Sequence, residues 1–296
     1  MIWKEYHTMA TYRIFADAAC DIPEATLNEW GVTMIDMTYR FTDEDAEHFN
    51  SKTDIPEFYN QMRAGRCSRT SAINMATFLD AFRPTLEAGT DLLYVAFSSG
   101  GSTTYEQSLA AIELLKPEFP ERKIMAVDAL AFSGGLGLTV YLAAKKQQEG
   151  ATIEETFRYV EDTRLHVCHW FTVDDLVYLK RGGRVSATTA LVGSVLGIKP
   201  VLHVDNEGHL ISMSKARSRR RSLKALADKF AETAIDPANG PVFICHGDCA
   251  EDAELLRGMI REISGKDVDL LSYIGPVIGS HSGPGTMALF FLGTER

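Results

Sequence analysis

A short apolar run that ends in a hydroxyl-rich glycine turn and restarts as a helix constrains this chain most. Residues 92–97 carry enough Leu, Val and aromatic side chains to form a buried strand. The run breaks into Ser98-Ser99-Gly100-Gly101. Ser102, Thr103 or Thr104 can then cap a helix with Leu109, Ile112 and Leu115 at helical spacing. A strand feeding such a turn leaves unpaired helix N–H groups above the loop, where an anion can sit. The loop offers hydroxyls from Ser98, Ser99, Ser102, Thr103 and Thr104 and no Lys or Arg. That suits one carboxylate or one phosphate oxygen rather than a triphosphate. The same residues also describe an ordinary capped strand–helix turn.

The pattern repeats through the first half. Strands are expected at 12–16, 32–37, 92–97 and 123–127. Between them come a helix reaching Trp30, one opened by Pro56 and ending near Gly65, and one carrying Phe78, Leu79 and Phe82. A buried helix over 134–150 follows, then one begun by the capping box Thr152-Ile-Glu-Glu155. Residues 39–52 read as a polar surface excursion and 66–72 as a polar loop. Alternation of this kind argues a parallel α/β sheet, with ligands at the loops that follow its strands.

After His166 the pattern changes. The expected elements are a strand at 166–172, a helix at 174–180 ending in Arg181-Gly-Gly-Arg184, and a helix at 185–196. A hairpin at 199–213 turns near 206–208, and a basic helix spans 215–230. A strand at 241–246, a helix at 252–263 and strands at 268–273 and 287–292 complete the chain. The organisation expected is therefore an extension over 1–10, an α/β domain with a parallel sheet over 11–165, and an α+β domain with a mixed sheet over 166–296.

Composition narrows the function classes. With 45% hydrophobic and 24% charged residues in 296, the chain reads as a soluble globular protein with room for full cores. No apolar run approaches the ~20 residues that span a bilayer. The first eight residues lack the apolar segment of a signal peptide. A formal charge of −10 argues against a general nucleic-acid binder. Five scattered cysteines fit a reducing cytoplasm better than a disulfide framework. His166-Val-Cys168-His169 and Cys245-His246-Gly-Asp-Cys249 lack the paired-cysteine spacing of a structural zinc site, so no metal or cofactor is expected.

Three polar loops at one end of the first sheet would bring together Thr70 and Ser71, Ser102, and His281. The third is 274–285, whose late glycines permit close backbone approach. Such a set can bind an anion. It could also imitate a serine hydrolase with Ser102 as nucleophile and His281 as base. Against that, Gly100-Gly-Ser-Thr-Thr104 lacks the last glycine of a nucleophile elbow, and no acid to orient His281 is identifiable. Arg181, Arg184 and the run Lys215-Ala-Arg217-Ser-Arg219-Arg220-Arg221-Ser-Leu-Lys224 concentrate positive charge. They form either a solvated helix face or a docking surface for an acidic or nucleotide-bearing partner.

These blocks resemble the DegV family of bacterial fatty-acid-binding proteins, which includes the FakB subunits of fatty acid kinase. The resemblance runs from Tyr12 to the C-terminus. It rests on Asp17-Ala-Ala-Cys-Asp21-Ile-Pro23, Thr70-Ser71-Ala72-Ile73 and Ser98-Ser-Gly-Gly-Ser102-Thr-Thr-Tyr105. It rests further on Asp174-Asp-Leu-Val-Tyr-Leu-Lys-Arg-Gly-Gly-Arg184-Val-Ser186, Gly197-Ile-Lys-Pro200 and the ending 275–285. The family fold it implies is two α/β domains with a fatty acid between or beneath them. The implied carboxylate ligands are Thr70, Ser102 and His281, with Ser71 beside them and Ser98, Ser99 and Gly100 in the head-group loop. The resemblance also implies an apolar tunnel for the acyl chain and a separate ATP-dependent kinase that phosphorylates the bound carboxylate. Arg184 would belong to that partnership, outside the lipid site, with Arg217 as a further docking residue. Ala18-Ala19, Ala72-Ile73 and Thr103 depart from the family motifs, each near the head group. The expectation is a cytoplasmic lipid carrier without a catalytic cycle of its own.

Overall fold

The structure, a computed structural model, describes residues 12–185 and 197–296. The expected extension over 1–10 and nearly all of the expected helix at 185–196 lie outside the described residues.

Four near-continuous apolar runs, buried on both faces, make the first sheet. They are β1 (Tyr12–Asp17), β2 (Val32–Ile35), β6 (Asp91–Ala96) and β7 (Ile124–Asp128), all parallel in the order β2-β1-β6-β7. Helices α1 (Glu24–Glu29), α3 (Met75–Glu87), α4 (Thr104–Leu115), α5 (Gly134–Gln148) and α6 (Ile153–Thr163) connect or follow them. The Thr152 capping box forms, with the Thr152 hydroxyl accepting from Glu155 N and the Glu155 carboxylate accepting from Thr152 N.

The second sheet is mixed, in the order β10-β9-β8-β13-β11-β12. Its strands are β8 (Val167–Thr172), β9 (Lys199–Val204), β10 (Leu210–Ala216), β11 (Val242–His246), β12 (Leu270–Tyr273) and β13 (Met287–Leu292). Only β11 and β12 pair in parallel. Helices α8 (Arg219–Thr233) and α9 (Ala250–Ser264) pack a second core on one face. On the other face lies α5, buried almost along its length. Its glycines permit this. A Cβ at Gly135 would fall 2.0 Å from His169 Nε2 on β8, and one at Gly137 would fall 2.4 Å from Ile22 on the first unit. One hydrophobic core thus runs unbroken from Ile14 and Leu93 on the first sheet to Phe243 and Phe290 on the second.

Three stretches that read as polar and irregular, 39–52, 66–72 and 274–285, contain regular elements. Thr38-Tyr-Arg-Phe41 alternates, so β3 (Thr38–Phe41) buries Tyr39 and Phe41 against Phe58, Tyr59 and Met62 of α2 (Ile55–Arg63). It pairs antiparallel with β4 (His48–Phe49) and with β5 (Ser68–Ser71), so Thr70 and Ser71 sit on a strand rather than a loop. Residues 274–285 contain the helix α10 (Pro276–Ser282), begun by Pro276 at its first turn, and His281 projects from that helix. Shorter corrections follow the same logic. The turn α7 (Val177–Arg181) starts three residues later than expected, and Lys215 lies within strand β10 instead of opening α8.

Candidate functional site

The C-terminal end of the first sheet, α10 and the inner face of the second sheet enclose a cavity of about 380 Å3. That is within the ~300–1,000 Å3 range of small-molecule sites. Strand alternation supplies one wall. Thr286, just before β13, and Ala288 and Phe290 on it face inward, as do His169 and Phe171 of the adjacent β8, paired in register as Phe290 with His169 and Ala288 with Phe171. Phe97 and Phe132, packed edge to face with centroids 4.9 Å apart, close the opposite side. Val204 and Leu210 of the β9–β10 hairpin and Val277 of α10 add apolar surface.

The expected head-group residues gather at one end. Thr70, Ser71, Ser102 and His281 all line the cavity, as do Ser99 and Gly100. The small sheet sets Thr70 in place, and its Oγ1 lies 2.8 Å from His281 Nε2. His281 approaches the turn after α7 so closely that a Cβ at Gly182 would lie 2.3 Å from Nδ1, and Nδ1 has no hydrogen-bond partner among the described residues. Ser102 turns the other way: its Oγ is 2.9 Å from Thr104 Oγ1 and accepts from Thr104 N. Thr103 occupies the cap position of α4 without a side-chain cap bond. Ser102 and His281 therefore do not form a nucleophile–base pair in this structure.

Two expectations are corrected. Ser98 does not line the cavity; it is fully buried, and its Oγ donates to Gly208 O at the tip of the β9–β10 hairpin, so it anchors that hairpin. Arg184 does line the cavity. Its guanidinium donates to Gly101 O at 3.1 and 3.2 Å and to Gly182 O, which places a cation in the wall that the sequence reserved for neutral donors. The signal existed in Gly182-Gly183-Arg184, whose turn aims the side chain back at the glycine loop, but its target was invisible without the fold. Arg217 is exposed and outside the cavity, while Arg219 pairs with Asp252 at 2.8 Å. The two Cys–His groupings do not assemble a metal site. Among the described residues no three His, Cys, Asp or Glu side chains converge.

Electrostatics at this end follow from burial. Desolvation, with Arg184 nearby, lowers the His281 imidazole to about 4. Burial also lowers the Arg184 pKa. A neutral imidazole and a guanidinium with no carboxylate partner among the described residues make an end that favours an anion. His281 is expected to stay neutral from pH 7 down to about 5 and to titrate near 4. Its folded value lies below the ordinary ~6.5, so the unfolded chain takes up the proton first. The stability this neutral ring contributes is present above ~6.5 and is lost as pH falls toward 4. Ring C–H chemical shifts across pH 3–8 check this, and a midpoint at 6 or above would contradict it.

No helix among the described residues is long and apolar enough to cross a membrane. The family model described as "Uncharacterised protein, DegV family" matches residues 11–294. A DegV domain-containing protein of Clostridium perfringens is 42% identical, over 97% of this chain and 99% of its own length. A DegV lipid-binding protein of Thermotoga maritima superposes with a TM-score of 0.83 at 26% identity, covering 97% of this chain and 99% of that one. A structure of fatty acid binding by a DegV family protein from Thermus thermophilus gives a TM-score of 0.84 at 26% identity, over 96% and 99% of the two chains.

Proposed function

The chain belongs to the DegV family, and from that premise we propose that it binds one long-chain fatty acid in the cavity between its two sheets. The observation that supports this most is that one cavity combines a cluster of polar and cationic side chains with four aromatic rings. Thr70 and His281 stand 2.8 Å apart and Arg184 bonds Gly101 O next to Ser102, while the rings of Phe97, Phe132, Phe171 and Phe290 also line the cavity, the first two packed beside Gly101. Buried methylenes at about 0.8 kcal/mol each supply most of the affinity, and the polar end orients the carboxylate. The fatty-acid and lipid binding stated for the Thermus and Thermotoga relatives favours the same reading.

Thr70, Ser71, Ser102 and His281 are the proposed carboxylate ligands, and Arg184 supplies the countercharge. The carrier then presents the carboxylate to a separate ATP-dependent kinase that forms an acyl phosphate, with exposed Arg217 at the docking surface. Mass spectrometry of ligand extracted from purified protein tests the binding reading. A single intact long-chain acid is expected, and absence of lipid together with no uptake of added acid would overturn it. Ser102→Ala is expected to weaken acid binding by about 1.5–3 kcal/mol, the worth of a hydrogen bond to a charged group. Competition with a fluorescent fatty acid measures this, and unchanged affinity would remove Ser102 from the ligand set.

A further inference from the structure

The polar atoms of the cavity do not all lie at the carboxylate end. Ser133, just 4% exposed, stands in its wall. Along β13 the inward residues run from Thr286, whose hydroxyl donates to Ser282 O and Gly283 O beside His281, to Phe290. The residue after Ser133 backs onto that far end: a Cβ at Gly134 would lie 2.8 Å from the Phe290 ring. At ~3.3 Å per residue the step from Thr286 to Phe290 is roughly 13 Å. A second route agrees. Ser133 Oγ donates to Asp21 Oδ2 at 2.5 Å, Asp21 Oδ1 accepts from Gly275 N at 2.8 Å, and α10 carries the chain from Gly275 to His281. At ~1.5 Å per residue that helix spans roughly 9 Å. With carbon–carbon bonds of ~1.5 Å folded into a zigzag that advances ~1.25 Å per carbon, 9–13 Å is roughly seven to ten carbons from the carboxylate.

Ser133 is held there under strain, at φ 52° and ψ −138°, a region that side-chain-bearing residues rarely adopt. It occupies the cap position of α5, yet its hydroxyl makes no cap bond and goes to Asp21 instead. A hydroxyl that donates once still has acceptor capacity. The neighbouring His169 has none to spare: Nδ1 donates to Val167 O and Nε2 accepts from Phe132 N. We propose that Ser133 forms a second, mid-chain subsite in which its oxygen accepts a hydrogen bond from a hydroxyl carried near the middle of a long-chain acid. This rests on the lipid-binding reading above and narrows it to hydroxylated acyl chains. Burial raises the Asp21 carboxyl to about 8, against the lowering effect of the hydroxyl that Ser133 donates to it.

The test compares dissociation constants of octadecanoic, 10-hydroxyoctadecanoic and 18-hydroxyoctadecanoic acids. An all-apolar tunnel would weaken both hydroxy acids about tenfold or more, because each buries an unpaired hydroxyl. The subsite predicts that the 10-hydroxy acid binds at least as tightly as octadecanoic acid while the 18-hydroxy acid binds about tenfold more weakly. Ser133→Ala should weaken the 10-hydroxy acid about tenfold and leave octadecanoic acid within about twofold. Ser133→Gly relieves the backbone strain and should give the same pattern if the alanine variant is poorly folded. Weaker binding of the 10-hydroxy acid than of its parent by the unaltered protein overturns the subsite, as does equal loss of both acids in the variants. Failure of all three acids to bind overturns the lipid-binding reading and the subsite with it.

Discussion

Replacing Ala288 by phenylalanine is expected to weaken long-chain acid binding by at least ~100-fold while the protein stays folded. Ala288 is the second residue of β13, on its inward face between Thr286 and Phe290 and opposite Phe171. A ring at that position projects into the space through which an acyl chain would pass. Displacing roughly five methylenes at about 0.8 kcal/mol each removes about 4 kcal/mol, nearly a thousandfold in affinity. Because the ring enters an existing cavity, the penalty that overpacking imposes on a filled core is mostly avoided. Ligand titration and thermal melting of the same sample check both halves. Near-native affinity for hexadecanoic acid would mean that the chain lies elsewhere.

Gly135→Ala is expected to cost about 3–5 kcal/mol of stability, from overpacking plus loss of buried hydrogen bonds. The added methyl would meet three atoms of the His169 ring at 2.0, 2.4 and 2.8 Å. That ring cannot swing aside cheaply. It borders the cavity on one side but packs edge to face on Phe290, and both nitrogens are bonded to backbone, so moving it breaks those bonds. Set against typical domain stabilities of ~5–15 kcal/mol, such a loss is a large fraction. Denaturant unfolding measures it, and a change below about 1 kcal/mol would show that α5 can shift on the second sheet.

The parallel sheet was legible in the sequence because its strands are continuous apolar runs bounded by polar turns. Most helix positions were legible because their caps and spacings are local. What failed to show locally depends on tertiary partners. Tyr39 and Phe41 looked like part of a polar excursion because only four residues alternate among acidic neighbours; the aromatic residues of α2 make them core. Residues 274–285 looked like a loop because Gly, Pro and Ser disfavour helix, yet Asp21 and Asn50 hold its first turn through Gly275 N and Val277 N. Thr70, Ser102 and His281 stand out as candidates because each sits in a distinctive polar block, and all three line the cavity. Phe97, Phe132, Phe171 and Phe290 were missed as a group because an aromatic residue facing a cavity has the same sequence signature as one facing a filled core. Arg184 was assigned outside the site because turn position alone does not reveal that its guanidinium reaches Gly101 O.

The affinity of the unaltered protein for unbranched saturated acids of 8 to 18 carbons tests the central claim most directly. An apolar tunnel beneath a fixed polar end predicts a gain of about fourfold per added carbon, from ~0.8 kcal/mol per buried methylene, until the chain fills the cavity and the gain stops. An affinity that does not change with chain length would contradict it, and would leave Thr70, Ser102, Arg184 and His281 as a site for a small anion alone.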